Sequence, residues 1–298
     1  MNTPSLGAPT DDAPVSPLAA LGIAVLAIST SAILVRWSSA PSLIKAFYRV
    51  AFTVGLLAPV ALVRYRDALS TFSGRDLVAA TGAGVALAAH FASWFESLNH
   101  TTVAASVTLV QSQPLFVAVG AWVLLDERVG RRTAAGIAVA LVGMALMSVS
   151  DLLAPSSAPR PLLGNALAVV GAVTAAAYVL TGRSVRSRVS LVPYVVVVYS
   201  VCAATLLVVA VGNGDPLTGY PLREWVLFLA MAVGPGIFGH TVINWALAHL
   251  ESSVVSVSLL GEPLGSTILA LFLFGEIPTL PLVAGGAIVL FGIYVTAS

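Results

Sequence analysis

Apolar residues dominate this chain in runs of about 20 residues, which short polar segments or segments with Gly and Pro interrupt. A helix of that length crosses the hydrocarbon core of a bilayer, and the alternating pattern of a membrane β-barrel is absent from the sequence. The pattern therefore predicts an all-α integral membrane protein. We place ten transmembrane helices at approximately residues 17–36, 42–63, 76–97, 102–125, 132–150, 162–182, 191–211, 224–247, 252–274 and 279–297.

Composition favours a membrane protein over a soluble one. Of the 298 residues, 58% are hydrophobic and 9% are charged, whereas an ordinary globular domain carries about 25% charged residues. The mean hydropathy is +0.98. The formal net charge of +1 gives no indication of a nucleic-acid partner. The single cysteine, Cys202, excludes an internal disulfide and a cysteine-based metal site.

One segment of the sequence occurs twice. Pro114, Glu127, Gly136 and Gly143 recur 149 positions later as Pro263, Glu276, Gly285 and Gly292. Because Pro, Glu and two Gly all match at one offset, the sequence indicates an internal duplication of about half the chain. In an apolar protein, two such halves are typical of a membrane transporter with its site at their interface.

The duplication predicts the organisation of the chain. Residues 1–16 are rich in Pro, Ser and Ala and are expected to form a disordered N-terminal tail without the basic region of a signal peptide. The first five-helix repeat is expected over 17–150, a connecting loop over 151–161 and the second five-helix repeat over 162–298.

Arginines in the short loops predict the orientation. Nine lie on one side, namely Arg64, Arg66, Arg75, Arg128, Arg131, Arg132, Arg183, Arg186 and Arg188. Only Arg36, Arg160 and Arg223 lie on the other. The positive-inside rule makes the first side cytoplasmic, and both termini are then cytoplasmic. Since each half has an odd number of spans, the second half is expected to be inverted, as alternating access requires.

Ionisable residues inside membrane spans are costly and are candidates for a functional role. Lys45, Tyr48 and Arg49 open the second span at positions i, i+3 and i+4, so they share one face. Glu96, at a similar depth on the third span, is the expected counter-charge. Two interpretations stay open: the long side chains reach the interface or form a structural ion pair, or they offer a cationic surface to a substrate carboxylate.

Aromatic and imidazole side chains also occur within the spans. His90 and Trp94 lie at i and i+4 on the third span. They either line a cavity for an aromatic or amphipathic solute, or represent a hydrogen-bonded core histidine beside an interfacial tryptophan. Tyr178 on the sixth span is a further candidate for stacking on a solute ring.

Polar residues beside proline mark the middle of two spans. Gln111 and Gln113 precede Pro114 on the fourth span, and Glu262 precedes Pro263 on the ninth. Proline removes a backbone N–H and frees a carbonyl one turn earlier, so both helices are expected to be broken here. A carboxyl group at this depth is expected to be protonated or paired with a donor. Glu262 is therefore either a substrate-amine or proton site, or part of a buried structural hydrogen bond.

The eighth span contains a candidate hinge and a polar cluster. Gly234, Pro235 and Gly236 are consecutive and predict a hinge, as Pro114 and Pro263 do in their own spans. His240, Asn244 and Trp245, toward the cytoplasmic end, form either an inner gate or part of an interfacial belt.

From about residue 17 to 298 the chain resembles the drug/metabolite transporter superfamily, EamA type. The resemblance rests on the duplicated Pro, Glu and paired Gly given above. It implies ten spans in two halves and an exporter in the bacterial inner membrane. His90 with Trp94, and Gln111 with Gln113, are most similar to the members that export aromatic amino acids. Glu127 and Glu276 are residues typical of this family at helix ends and are not candidate binding residues.

We therefore expect a secondary transporter that exports amino acids, aromatic ones foremost, and related amphipathic metabolites. Arg49, Lys45, Gln111 and Gln113 would bind the solute carboxylate, Glu262 the amine, and Trp94 and Tyr178 the ring, with Tyr48, His90 and Asn244 as further candidates. The alternative is a transporter of the same fold for a purine, nucleotide sugar, sugar phosphate or cationic drug.

The sequence disfavours an enzyme. The four histidines are scattered, and neither Gly-x-Ser-x-Gly nor His-Glu-x-x-His occurs within a span. We expect no cofactor and no metal. The expected partners are the small-molecule solute and the lipid bilayer, without nucleic acid, around a monomer.

Overall fold

The computed structural model describes residues 16–65, 72–125, 130–153, 158–186, 188–243 and 258–297, and all regular secondary structure within these ranges is helical. The helices are α1 (Pro17–Ser29), α2 (Ser31–Trp37), α3 (Ser42–Arg64), α4 (Gly74–His100), α5 (Val103–Val110), α6 (Gln113–Leu125), α7 (Arg131–Leu153), α8 (Pro161–Arg186), α9 (Leu191–Gly212), α10 (Leu222–Met231), α11 (Gly261–Phe274) and α12 (Leu280–Ala297). A π-helical segment, Ala232–Thr241, follows α10 directly. The predicted all-α class is confirmed for the described residues.

Seven helical stretches among the described residues are long and apolar enough to cross a membrane. They are Pro17–Trp37, Ser42–Arg64, Gly74–His100, Val103–Val123, Pro161–Gly182, Val192–Gly212 and Leu222–Gly239, and Gly261–Phe274 and Leu280–Thr296 are shorter apolar helices. Large apolar side chains such as Val63 and Phe272 lie exposed on the helix surfaces, as in a protein surrounded by lipid. These features fit a multi-pass membrane protein. The finer arrangement, ten spans in two inverted halves, stays a prediction.

Helix boundaries repeat with the spacing of the sequence duplication. α3 begins at Ser42 and α9 at Leu191, 149 positions later, and α7 and α12 begin at Arg131 and Leu280 with the same offset. α3 packs along α9, and α7 packs along α12. Each of these helix pairs therefore joins a helix of residues 17–150 to its repeat mate in residues 162–298.

The duplicated glycines lie where α7 meets α12. A Cβ atom on Gly136 would lie 2.7 Å from the carbonyl oxygen of Gly292, and one on Gly143 would lie 2.7 Å from that of Gly285. No side chain fits at such a distance. The glycines therefore allow the two backbones to approach closely, which is how helices commonly associate in lipid.

Helices are interrupted at both prolines of the repeat. α5 ends at Val110, Gln111 and Ser112 form a turn, and α6 begins at Gln113 with Pro114 as its second residue. In the second half the chain turns at Leu260, and α11 begins one residue later with Pro263 as its third residue. Proline is tolerated in the first turn of a helix because its missing N–H would have no partner there. The polar residues beside each proline therefore lie at a helix break.

The third predicted hinge also lies in irregular helix. Gly234, Pro235 and Gly236 fall inside the π-helical segment Ala232–Thr241. Proline cannot donate the hydrogen bond that a regular α-helix needs, and π-helical turns accommodate such a defect. The structure shows altered helical geometry at this position, and hinge motion remains a prediction.

Candidate functional site

Arg49, in the second turn of α3, is the centre of a buried polar group. The residue is 3% exposed, and its Nη1 donates a hydrogen bond of 2.8 Å to Ser31 Oγ. The guanidinium carbon lies 4.8 Å from the ring centroid of Phe91 and 5.7 Å and 5.9 Å from those of Phe95 and Trp94. The faces of aromatic rings attract a cation, so these rings partly stabilise the buried charge.

The guanidinium of Arg49 has more donors than acceptors around it. Ser31 is its one hydrogen-bond acceptor among the described residues. A buried guanidinium with unsatisfied N–H groups is costly unless an anion or several acceptors complete the site. A planar, two-oxygen anion such as a carboxylate matches the fork of N–H groups that Arg presents. The arrangement can therefore bind a carboxylate.

Lys45 adds a second positive charge one turn earlier on α3. It is also 3% exposed, and its ammonium group makes no hydrogen bond to a described residue. Glu96, the counter-charge expected from sequence, instead accepts hydrogen bonds of 3.0 Å from Asn99 Nδ2 and lies 3.0 Å from His100 Nε2. No direct ion pair joins Glu96 to Lys45 or Arg49, because Asn99 and His100 on α4 engage its carboxylate, and Glu96 interacts with Lys45 electrostatically over a longer distance.

Glu262 supplies a carboxyl group on the second half. It lies in the first turn of α11, is 8% exposed, and accepts a hydrogen bond from the side-chain amide of Gln111. A carboxylate in the first turn of a helix is stabilised by the helix dipole. Ser266 Oγ, one turn further along α11, donates a 3.0 Å hydrogen bond to the carbonyl oxygen of Ser29. The end of α1, the α5–α6 break and the start of α11 therefore meet at Glu262.

The rings of His90 and Trp94 pack against each other beside Arg49. Their rings stack with centroids 5.8 Å apart, and His90 Nδ1 lies 2.9 Å from the carbonyl oxygen of Gly171, to which an N–H at that position donates. Trp94 is buried, and its indole N–H has no partner among the described residues. Trp94 is thus part of the core and not interfacial, and its N–H is a buried donor beside the aromatic ring cluster.

The remaining predicted residues have separate contacts or lie outside the described part of the chain. Tyr48 donates a 2.6 Å hydrogen bond from its hydroxyl to the carbonyl oxygen of Leu217 and stacks on Phe228 with ring centroids 5.0 Å apart. Tyr178 is half-buried and packs against the main core cluster. Gln113 is half-buried at the start of α6. Asn244 lies outside the described residues.

An open cavity of about 510 Å³ lies between residues 41–99 of the first half and residues 167–215 of the second half, and Lys45, Arg49 and Glu262 do not line it. Its polar lining comprises Ser42, Ser93, Glu96, Asn99, Asn213 and Asp215. Its volume is within the range of small-molecule sites, about 300–1,000 Å³. Lys45 interacts electrostatically with Glu224 and with Glu96, and Glu96 is part of the cavity lining.

Sequence reasoning missed the residues that hold Arg49. Phe91 and Phe95 lie at i and i+4 on α4 with Trp94 between them, a spacing that could have indicated an aromatic surface. Ser31 follows the α1–α2 break, and no local pattern links it to Arg49. The polar contacts of Arg36, Glu224 and Glu276 were also missed, since each joins segments far apart in the chain.

Comparisons with known proteins identify relatives over most of the chain. The sequence model described as "EamA-like transporter family" matches twice, over residues 16–149 and 162–298. An uncharacterized transporter of Archaeoglobus fulgidus is 26% identical over 258 residues, which cover 85% of this chain and 86% of that protein. The pseudopaline exporter CntI of Pseudomonas aeruginosa is 26% identical over 272 residues, which cover 90% and 92%.

A solved crystal structure shares the fold. It superposes with a TM-score of 0.62 at 22% sequence identity and covers 94% of this chain and 96% of its own. At that identity the likeness concerns architecture alone.

Proposed function

This chain belongs to the EamA-like transporter family, and from that premise we propose that it is a secondary transporter that exports amino acids, aromatic ones foremost, and related amphipathic metabolites across the bacterial inner membrane. Members of the family are membrane transporters. In the proposed cycle, two inverted five-helix repeats, 17–150 and 162–298, expose one site alternately to the two sides, and both termini are cytoplasmic. Pro114, Pro263 and the Gly234–Gly236 segment serve as hinges.

The buried guanidinium of Arg49 is the observation that carries this proposal. It combines a positive charge, N–H donors that lack an acceptor among the described residues, and surrounding aromatic rings. Lys45 adds charge on the same side. A solute with one carboxylate and an apolar or aromatic body would satisfy the donors and pack against Phe91 and Trp94.

Glu262 and Gln111 would bind the other end of an amino acid. The carboxylate of Glu262 is close enough to Arg49 for the two charges to interact, although no direct contact joins them. The ammonium group of a zwitterionic solute would displace Gln111 from Glu262. The site would then contain one positive and one negative group with aromatic rings beside them, which matches an aromatic amino acid.

The relatives support the proposal of an exporter and also suggest a second candidate cargo. The similarity to a pseudopaline exporter supports outward transport of a small organic molecule. A metabolite other than an amino acid is therefore the second candidate. The narrower likeness to the bacterial aromatic amino-acid exporter YddG rests on His90, Trp94, Gln111 and Gln113 and is part of the proposal.

Transport by the purified protein in liposomes tests this function. Uptake of labelled tryptophan and phenylalanine would be followed beside alanine and a sugar phosphate, with and without a pH gradient. We expect flux of the aromatic amino acids to exceed that of the other two solutes. Absence of flux for every amino acid would overturn the cargo assignment and leave the family membership unchanged.

A further inference from the structure

We propose that Arg36 and Glu276 form a gate that holds the two halves together at one end of the protein and that opens once in each transport cycle. The inference rests on the proposed alternating-access function, because a gate has meaning only for a site that changes sides. Arg36 ends the first span and belongs to the first half, whereas Glu276 follows α11 in the second half.

The pair joins four separate segments. Arg36 Nη2 lies 2.6 Å from Glu276 Oε1, while Arg36 Nη1 donates hydrogen bonds of 2.7 Å and 3.0 Å to the carbonyl oxygens of Leu98 and Thr101. Glu276 Oε2 accepts a 2.9 Å hydrogen bond from the backbone N–H of Val103. The end of α2, the end of α4, the start of α5 and the segment after α11 are therefore linked through two side chains.

Electrostatics favour this arrangement at each contact. Arg36 contacts carbonyl oxygens at the C-terminal end of α4, where the helix dipole is negative, and Glu276 contacts an N–H at the N-terminal end of α5, where it is positive. The side chains are 27% and 11% exposed, so water screens the pair less than it screens a surface ion pair. Separation of the two halves at this end would break the contacts of Glu276 with Arg36 and with Val103, whereas the hydrogen bonds of Arg36 to Leu98 and Thr101 lie within the first half.

A second set of contacts between the halves lies at the same end. Glu224, in the first turn of α10, accepts hydrogen bonds from the hydroxyls of Ser38 and Ser39, at 2.5 Å and 2.9 Å, and from the backbone N–H of Ser39 at 3.0 Å. Arg223 Nη2 donates a 2.8 Å hydrogen bond to the carbonyl oxygen of Trp37. The segment between α2 and α3 is thus bound to the second half directly beside Arg36.

The internal repeat allows these contacts to be compared with those near the start of α4. Ser39 and Arg188 are repeat mates, and the Glu224 contact has a counterpart in the ion pair of Arg188 Nη2 with Asp76 Oδ1, at 2.6 Å near the start of α4. The repeat mate of Arg36 is Val185, which is apolar and buried. Arg36 thus differs in charge from its repeat mate, and the repeat mate of Glu276, Glu127, lies outside the described residues. The Arg36–Glu276 contact stabilises closure at the Arg36 end.

Distances between spin labels across this end test the gate independently of cargo. One label would be placed at Asn99→Cys in the first half and the other at Ile277→Cys in the second, both exposed positions, in a Cys202→Ala background. Double electron–electron resonance in nanodiscs would compare the unmodified pair with Arg36→Gln, Glu276→Gln and the double variant. Arg160→Gln, an exposed arginine at the same end, is the control.

We expect the closed population to give a short, narrow distance distribution that Arg160→Gln leaves unchanged. Either gate variant should shift the ratio of open to closed states about tenfold, the change that loss of one charge-assisted hydrogen bond produces in an equilibrium constant. The double variant should match the single ones, because each single change already breaks the pair. If the glutamine variants fold poorly, Arg36→Lys, which keeps the charge, replaces them in the experiment. It should shift the ratio of open to closed states in the same direction by a smaller factor.

Distance distributions that are unchanged in the gate variants would overturn the gate, even if flux falls. A shift in distance without flux of any amino acid would support the gate and reject the proposed cargo. The two proposals can therefore fail separately.

Discussion

Gln111 donates a side-chain hydrogen bond to Glu262, although the two residues lie 151 positions apart in the chain. Each lies at the helix break beside the proline of its own repeat. The bond therefore joins the two duplicated segments at the point where regular backbone hydrogen bonding is interrupted. A polar contact in that position can be exchanged for a contact with a solute or a proton when the halves move.

Replacement of Glu262 by Gln tests its role in coupling. The substitution keeps the shape and a hydrogen bond to Gln111 but removes the titratable charge. If Glu262 is the proton site, stimulation of tryptophan flux by a pH gradient should be lost in liposomes, while flux without a gradient persists. Asp76→Asn is the control, since Asp76 pairs with Arg188 away from the proposed site. A full gradient effect in Glu262→Gln would exclude Glu262 as the proton site.

Replacement of Arg49 by Gln should reduce flux of solutes that carry a carboxylate by at least about tenfold, because a charge-assisted hydrogen bond of this kind contributes more than about 1.4 kcal/mol. The assay would compare tryptophan with tryptamine, which lacks the carboxylate. Tryptamine flux should be nearly unaffected. Arg64→Gln, at the exposed end of the same helix, should leave both fluxes unchanged, and an equal loss for both solutes would contradict carboxylate binding by Arg49.

Replacement of Trp94 by Leu should lower the preference for aromatic over aliphatic solutes. The indole ring would stack on a solute ring, an interaction of about 0.5–1.5 kcal/mol that Leu cannot replace. The measurement is the ratio of phenylalanine flux to alanine flux, which should fall several-fold. Trp122→Leu removes an exposed tryptophan and is the matched control. An unchanged ratio in Trp94→Leu would place the solute ring elsewhere.

Replacement of Gly143 by Ala should destabilise the contact of α7 with α12. The added methyl would lie 2.7 Å from both the carbonyl oxygen of Gly285 and the backbone N of Val289, and such overpacking costs roughly 1–3 kcal/mol. The melting temperature in detergent should fall. Gly55→Ala, on α3 with open space around its Cβ position, should not lower it. Equal melting temperatures would show that the helices separate without cost.

Expectations that depend on local sequence agree with the structure where it describes the residues. The all-α class follows from apolar runs long enough to span a bilayer. The helix breaks at Pro114 and Pro263 follow from the missing N–H of proline, and the offset of 149 recurs in the starts of α3 and α9. These features need no knowledge of how the helices pack.

Expectations about partners could not be made from the sequence with the same success. Glu96 was expected to pair with the cations of α3, but His100, four residues away on the same helix, engages it. The i, i+4 spacing of Glu96 and His100 on α4 is visible in the sequence. Whether Glu96 contacts His100 or a cation of α3 depends on how the two helices pack.

The sequence by itself determined that this protein is helical, membrane-embedded and duplicated, because length, hydropathy and repetition are properties of the chain. Tertiary structure decided that Arg49 lies against Phe91 and Ser31, that Gln111 meets Glu262, and that Arg36 pairs with Glu276. Arg36 and Glu276 are separated by 240 positions. Contacts between residues so far apart in sequence depend on which helix faces pack together. In an apolar chain, many alternative helix packings bury a similar surface area. The few buried polar groups need hydrogen-bond or ionic partners, and the helix packing that provides these partners determines where the candidate site lies.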